Sequence, residues 1–184
     1  MLAAKNALDF LYKYLPLKSE IIGEKAKGKL TKAIVCLLAK RDMSITRKIN
    51  LWLFGKPDIE NKYTMLAKNV EFLTNTLIYY LKEKESNVEP LKIIFNLFSE
   101  HEDLPSLILT DLTKEMLSYC LRSDFNSEIL KLMNRIIDIV EGKVSLFADS
   151  LGKELMDCIE AEDYREAEKI LQLITCFMNR ILKP

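Results

Sequence analysis

The chain has 184 residues, 49% of them hydrophobic and 29% charged, with 27 basic side chains balanced by 27 acidic ones. That mixture is too apolar for a disordered segment and too charged for a bilayer-embedded protein, and the length suits one domain with a real core. Five glycines and five prolines leave room for long helices and exclude the turn-dense sandwiches and barrels.

Leu8, Leu11, Tyr12 and Leu15 recur at helical spacing, and Pro16 ends this first helix. A second helix is expected over residues 20–40, carrying Ile22, Ala26, Leu30, Ala33, Ile34, Leu37 and Leu38, with Gly23 and Gly28 weakening it. Asp42 or Ser44 can cap a third, whose Ile45, Ile49, Trp52 and Leu53 share one face; Gly55 suits its stop and Pro57 bars continuation. The fourth is expected over residues 60–84, with Leu66, Val70, Leu73, Leu77 and Leu81 inward. Asn87 and Pro90 open the fifth, and Pro105 the sixth, which runs through Ile108, Leu112, Met116 and Cys120. A seventh fits residues 127–141, stopped by Gly142; the eighth fits 146–161 and the ninth 164–182. No segment alternates with the period of a strand over a useful length, so the class is all-α.

These helices pair across short turns, second with third through eighth with ninth, with pair starts near residues 20, 60, 104 and 146. A spacing of about 40 residues is that of HEAT or armadillo arrays, in which stacked hairpins share a core that one hairpin cannot form. The expectation is one helical-repeat domain over residues 1–184: about nine helices in antiparallel hairpins, stacked as a short solenoid.

Charge is unevenly spread. Residues 1–56 hold twelve Lys/Arg against four Asp/Glu, a surplus of eight that the remainder cancels. Lys25, Lys27, Lys29, Lys32, Lys40, Arg41, Arg47 and Lys48 fall within 24 residues and are opposed there only by Asp42. If they share a face, it suits a phosphoinositide-rich membrane or an acidic partner. Nucleic acid is not expected, because no binding module or aromatic interleaving accompanies the charges and the total is neutral.

Catalytic, metal and cofactor residues are not assigned. Cys36, Cys120, Cys158 and Cys176 lie far apart, without metal-ligand spacing, and read as small buried hydrophobes in a reducing cytosol. His101, the sole histidine, has acidic neighbours but no helical histidine partner, and reads as a solvated surface residue between helices. Met116, Met133, Met156 and Met178 read as core. No secretory signal opens the chain, because Lys5 and Asp9 interrupt any apolar run, and no stretch is long enough to span a bilayer. The ninth helix is apolar around much of its circumference, from Ala167 through Ile170, Leu171, Ile174, Phe177 and Met178 to Leu182, so self-association or a neighbour is expected there.

The most distinctive stretch is residues 40–55, in which Lys40-Arg41-Asp42-Met43-Ser44 leads through Arg47-Lys48 to Trp52-Leu53-Phe54-Gly55. With Asn6-Ala7-Leu8-Asp9-Phe10-Leu11 and Leu15-Pro16-Leu17 upstream, and residues 90–98 and 118–120 downstream, it resembles the N-terminal region of the Dopey family over roughly residues 3–122. Residues 123–184 read as further helical hairpins. Lys40 and Lys48 stand where the family usually has Arg, and Phe54 where it has Leu. The family's members are far longer, so the chain is expected to be an excerpt or a reduced relative. The resemblance implies a non-enzymatic scaffold of vesicle-mediated protein transport, cytoplasmic and peripheral on Golgi and endosome membranes. Its implied partners are an Arf-exchange-factor-like Golgi scaffold and an aminophospholipid flippase, and it implies a kinesin-adaptor role. Asp42, Ser44, Trp52 and Gly55 are the structural part of the signature: Leu37-Leu38, a turn holding Asp42 and a following Arg47 fit a HEAT hairpin. The alternative is a HEAT-type adaptor that binds a cytosolic protein or peptide without lipid.

Overall fold

A computed structural model describes residues 2–40, 42–57, 63, 65–83, 87–123, 126–140 and 143–181. The described residues form nine α-helices and no strand: α1 (Leu2–Tyr14), α2 (Glu24–Val35), α3 (Met43–Phe54), α4 (Ala67–Glu83), α5 (Glu89–Glu100), α6 (Leu104–Arg122), α7 (Ser127–Ile139), α8 (Val144–Glu160) and α9 (Tyr164–Ile181). A 3₁₀ turn, Cys36–Lys40, follows α2 directly.

The helices stack in two rows. α2, α4, α6 and α8 pack successively against one another; α1 packs on α3, the 3₁₀ turn bridges α3 to α5, and α5 packs on α7. Each hairpin therefore lends one helix to each row, as the 40-residue spacing requires. The last hairpin departs from this: α9 lies along α8 and reaches back to α6. Between the rows lies a continuous core. Leu53, Leu73, Leu81, Leu91, Ile94, Ile108, Leu112, Met116, Ile129 and Ile136 are wholly buried in it. Polar ties run between neighbours. Arg122 donates to the Leu81 carbonyl at 2.9 Å, and Asn96 to the Leu38 carbonyl at 3.2 Å, fixing α6 to α4 and α5 to the 3₁₀ turn.

Several boundaries differ from expectation for local reasons. α2 begins at Glu24 because Gly23 is extended, and its final turns tighten into the 3₁₀ segment. α4 begins at Ala67, so Leu66 precedes the helix and is exposed instead of lying in the inward stripe. Asn126 caps α7 through a bond from the Glu128 N–H at 2.9 Å, and Asp163 caps α9 by accepting from Glu166 at 3.1 Å. Glu141 and Gly142, the expected stop of α7, and Leu182 of the last helix lie outside the described residues.

Burial corrects three side-chain readings. His101 is not solvated but only 5% exposed, because the turn between α5 and α6 folds it against Phe54 and Tyr63, with ring centroids 4.9 and 5.2 Å away. Cys36 is exposed and donates to the Ala33 carbonyl, whereas Cys120 is wholly buried and burial pushes its thiol pKa up. Met116 and Met133 fill core, but Met156 and Met178 face outward.

Candidate functional site

The join between α1 and α3 is built by the signature. Asp42 is the residue that caps α3: its Oδ1 accepts from the Ile45 N–H at 2.9 Å, while exposed Ser44 makes no such bond. Its Oδ2 lies 3.6 Å from Lys5 Nζ, on α1. The Ile45 N–H and then the Lys5 ammonium hold this carboxyl below its usual pKa. Lys48 pairs with Asp9, and the Trp52 indole N–H donates to the Leu15 carbonyl at 3.0 Å. Partners 5, 9 and 15 meet 42, 48 and 52 in the same order, so the two helices run parallel, as equivalent members of successive repeats do. Gly55 closes α3 at φ 84°, where a side chain would be strained.

The eight clustered cations separate in space. Lys25 and Lys29 are exposed one turn apart on α2, and Lys40 is exposed at the end of the 3₁₀ turn. Lys27 lies on the other side of α2, 5% exposed and 3.9 Å from Glu24, which itself reaches Lys68 of α4 at 2.6 Å. Lys32 packs 3.5 Å above the centre of the Tyr79 ring. Arg47 and Lys48 belong to α3, in the other row; Lys48 is paired and Arg47 has no ion pair among the described residues. Arg41 lies outside the described residues.

Two concavities flank α3. One, of about 710 Å³, is lined by Tyr12, Lys13, Lys18, Trp52, Lys56 and Asn69, with Pro16, Leu51, Phe54, Gly55 and Leu66 and no carboxylate among the described residues. Its lysines were missed as a group because they are 38 residues apart in sequence from Lys18 to Lys56; only the parallel packing of α1 on α3 gathers them. The other groove, of about 950 Å³, runs past Asp9, Tyr12, Ser44, Thr46, Arg47, Lys48, Asn50, Tyr63 and Glu100. Burial raises the Tyr63 pKa; Arg47 works against that and Glu100 with it. No group of His, Cys, Asp and Glu among the described residues could hold a metal ion.

Residues 1–58 match the family described as Dopey, N-terminal. The matched segment comprises α1, α2, the 3₁₀ turn and α3, and so contains Asp42, Ser44, Trp52, Gly55 and all eight clustered cations. The resemblance seen farther along, at residues 90–98 and 118–120, lies beyond the match. No curated protein and no solved structure matches the chain.

Proposed function

We propose that this chain is a non-enzymatic Dopey-type scaffold of vesicle-mediated protein transport, working between Golgi and endosomes on the cytoplasmic face of their membranes. The supporting observation is a coincidence: the segment that matches Dopey carries twelve Lys/Arg against five Asp/Glu, a surplus of seven positive charges. Within it Lys25, Lys29 and Lys40 are exposed, and Lys13, Lys18 and Lys56 line one concavity, with no carboxylate among the described lining residues. Among the described residues no helix is long and apolar enough to cross a membrane, so the reading is peripheral attachment. An Arf-exchange-factor-like scaffold and an aminophospholipid flippase are its proposed partners, by family, together with a role as a kinesin adaptor.

Each exposed lysine near an anionic leaflet contributes about fivefold in affinity, less at high salt. Reversing Lys25 and Lys29 together is therefore expected to cut flotation with phosphoinositide-containing liposomes by about twentyfold or more. Reversing Lys27 is uninformative here, because it breaks a buried contact with Glu24. Flotation unchanged by the double reversal would remove lipid from this reading and leave the adaptor that binds protein alone, which the mixed charge of the groove on α3 favours.

We also propose that a second copy of the chain covers the outer face of α9. Tyr164, Leu171 and Met178 are exposed there at seven-residue spacing, and Met156 and Ile159 of α8 are exposed as well. Sedimentation equilibrium is expected to show a dimer that Leu171→Lys dissociates; a monomer at all concentrations removes the idea.

A further inference from the structure

The groove on α3 has the chemistry of a receptor for a peptide, independent of any membrane role. Its lining carries both signs of charge. Asp9 and Lys48 satisfy each other, which leaves Arg47 and Glu100 without an ion pair among the described residues; both are exposed. Asn50 joins them. It is 4% exposed, its amide nitrogen donates to Glu100 Oε2 at 2.9 Å, and its Oδ1 has no partner. His101, beside Glu100 and edge-on to Tyr63, has a buried Nε2 that is equally unpartnered. Buried polar atoms without a partner are uncommon in native proteins, and Asn50 Oδ1 at this groove marks hydrogen-bonding capacity that the described residues do not fill. Tyr12, Leu51 and Tyr63 supply apolar wall.

The occupant follows from these charges. Two acids and two bases line the groove, so it offers an anionic membrane or a nucleic acid no net positive charge, and the metal-ligand set is missing among the described residues. Arg47 and Asn50 are three positions apart on α3, which places their Cβ atoms about 5–6 Å from each other, and Asn50 hands that position on to Glu100. In an extended peptide, side chains two positions apart lie on the same side and about 7 Å apart. We propose that this groove binds an extended peptide presenting an acidic and a basic side chain two positions apart, the acid on Arg47 and the base on Glu100. The acid can take the planar guanidinium in a bidentate pair. Donors of the peptide complete the Asn50 site.

The test uses the full chain and a phage-displayed library of random dodecapeptides, followed by fluorescence polarisation of the enriched sequence. The expected winners carry opposite charges at positions i and i+2, and Arg47→Glu weakens them about tenfold or more. The double variant Arg47→Glu/Glu100→Lys is expected to prefer the same peptide with its two charges exchanged. Because Arg47 is exposed and has no ion pair among the described residues, the melting curve of Arg47→Glu should stay with the parent, so lost binding is not lost folding. No enrichment, winners without the charge pair, or binding indifferent to both variants overturns the proposal. So does an Arg47→Glu variant that loses liposome flotation while keeping the peptide, since the groove would then serve membrane.

Discussion

Replacing Trp52 with alanine is expected to lower the unfolding free energy by about 3–5 kcal/mol, the range for deleting a large buried aromatic ring. The side chain is 2% exposed and stands where α1 meets α3. Two losses combine: the cavity left among its apolar neighbours, and the bond from the indole N–H to the Leu15 carbonyl, whose oxygen would be stranded. Trp52→Phe keeps most of the packing and removes only the donor, so it should cost about 1–2 kcal/mol. In a stacked array stability is a sum of repeat and neighbour terms, so the damage should concentrate at the first junction. Urea titration followed by circular dichroism gives the total, and limited proteolysis should open the connection at residues 15–23 first. A loss below about 1 kcal/mol would mean that α1 is not held by this contact.

What could be read in the sequence was what periodicity and caps encode. The hairpin pairing was legible because apolar positions at helical spacing recur between breakers such as Pro16, Gly55 and Pro105, and the two rows then follow from burying one face per helix. The capping role of Asp42 was legible to within one choice, since both it and Ser44 carry a suitable oxygen and only geometry selects between them. Residues whose surroundings depend on distant elements were not legible. His101 sits among acids in sequence, which suggests water, yet its neighbours in space are the rings of Phe54 and Tyr63. The cation cluster is likewise close in sequence but divided between α2 and α3, whereas Lys13, Lys18 and Lys56, distant in sequence, share a cleft. Helix spacing tells which face a residue takes on its own helix. It does not tell which neighbour that face meets.

His101 leads to the second large effect, a fall in stability on mild acidification. Burial holds its pKa down to about 4, against 6.5 for the free side chain. The sign follows from proton binding. Above pH 6.5 the imidazole is neutral in both states and the shift contributes nothing. As pH falls below 6.5 the unfolded chain takes up a proton that the folded chain refuses until about pH 4, so the unfolded state gains ground throughout that window. The gap corresponds to roughly 3 kcal/mol at its lower end, which is a large part of a typical domain's 5–15 kcal/mol. The rings that pack on the imidazole, those of Phe54 and Tyr63, do not take up a proton in this range. Urea midpoints measured from pH 7 to pH 4.5 are expected to drop steeply in the parent and much less in His101→Phe, which keeps an aromatic ring and has nothing to protonate. Equal slopes in the two proteins would show that another group sets the acid sensitivity, and that the imidazole is reached by water after all.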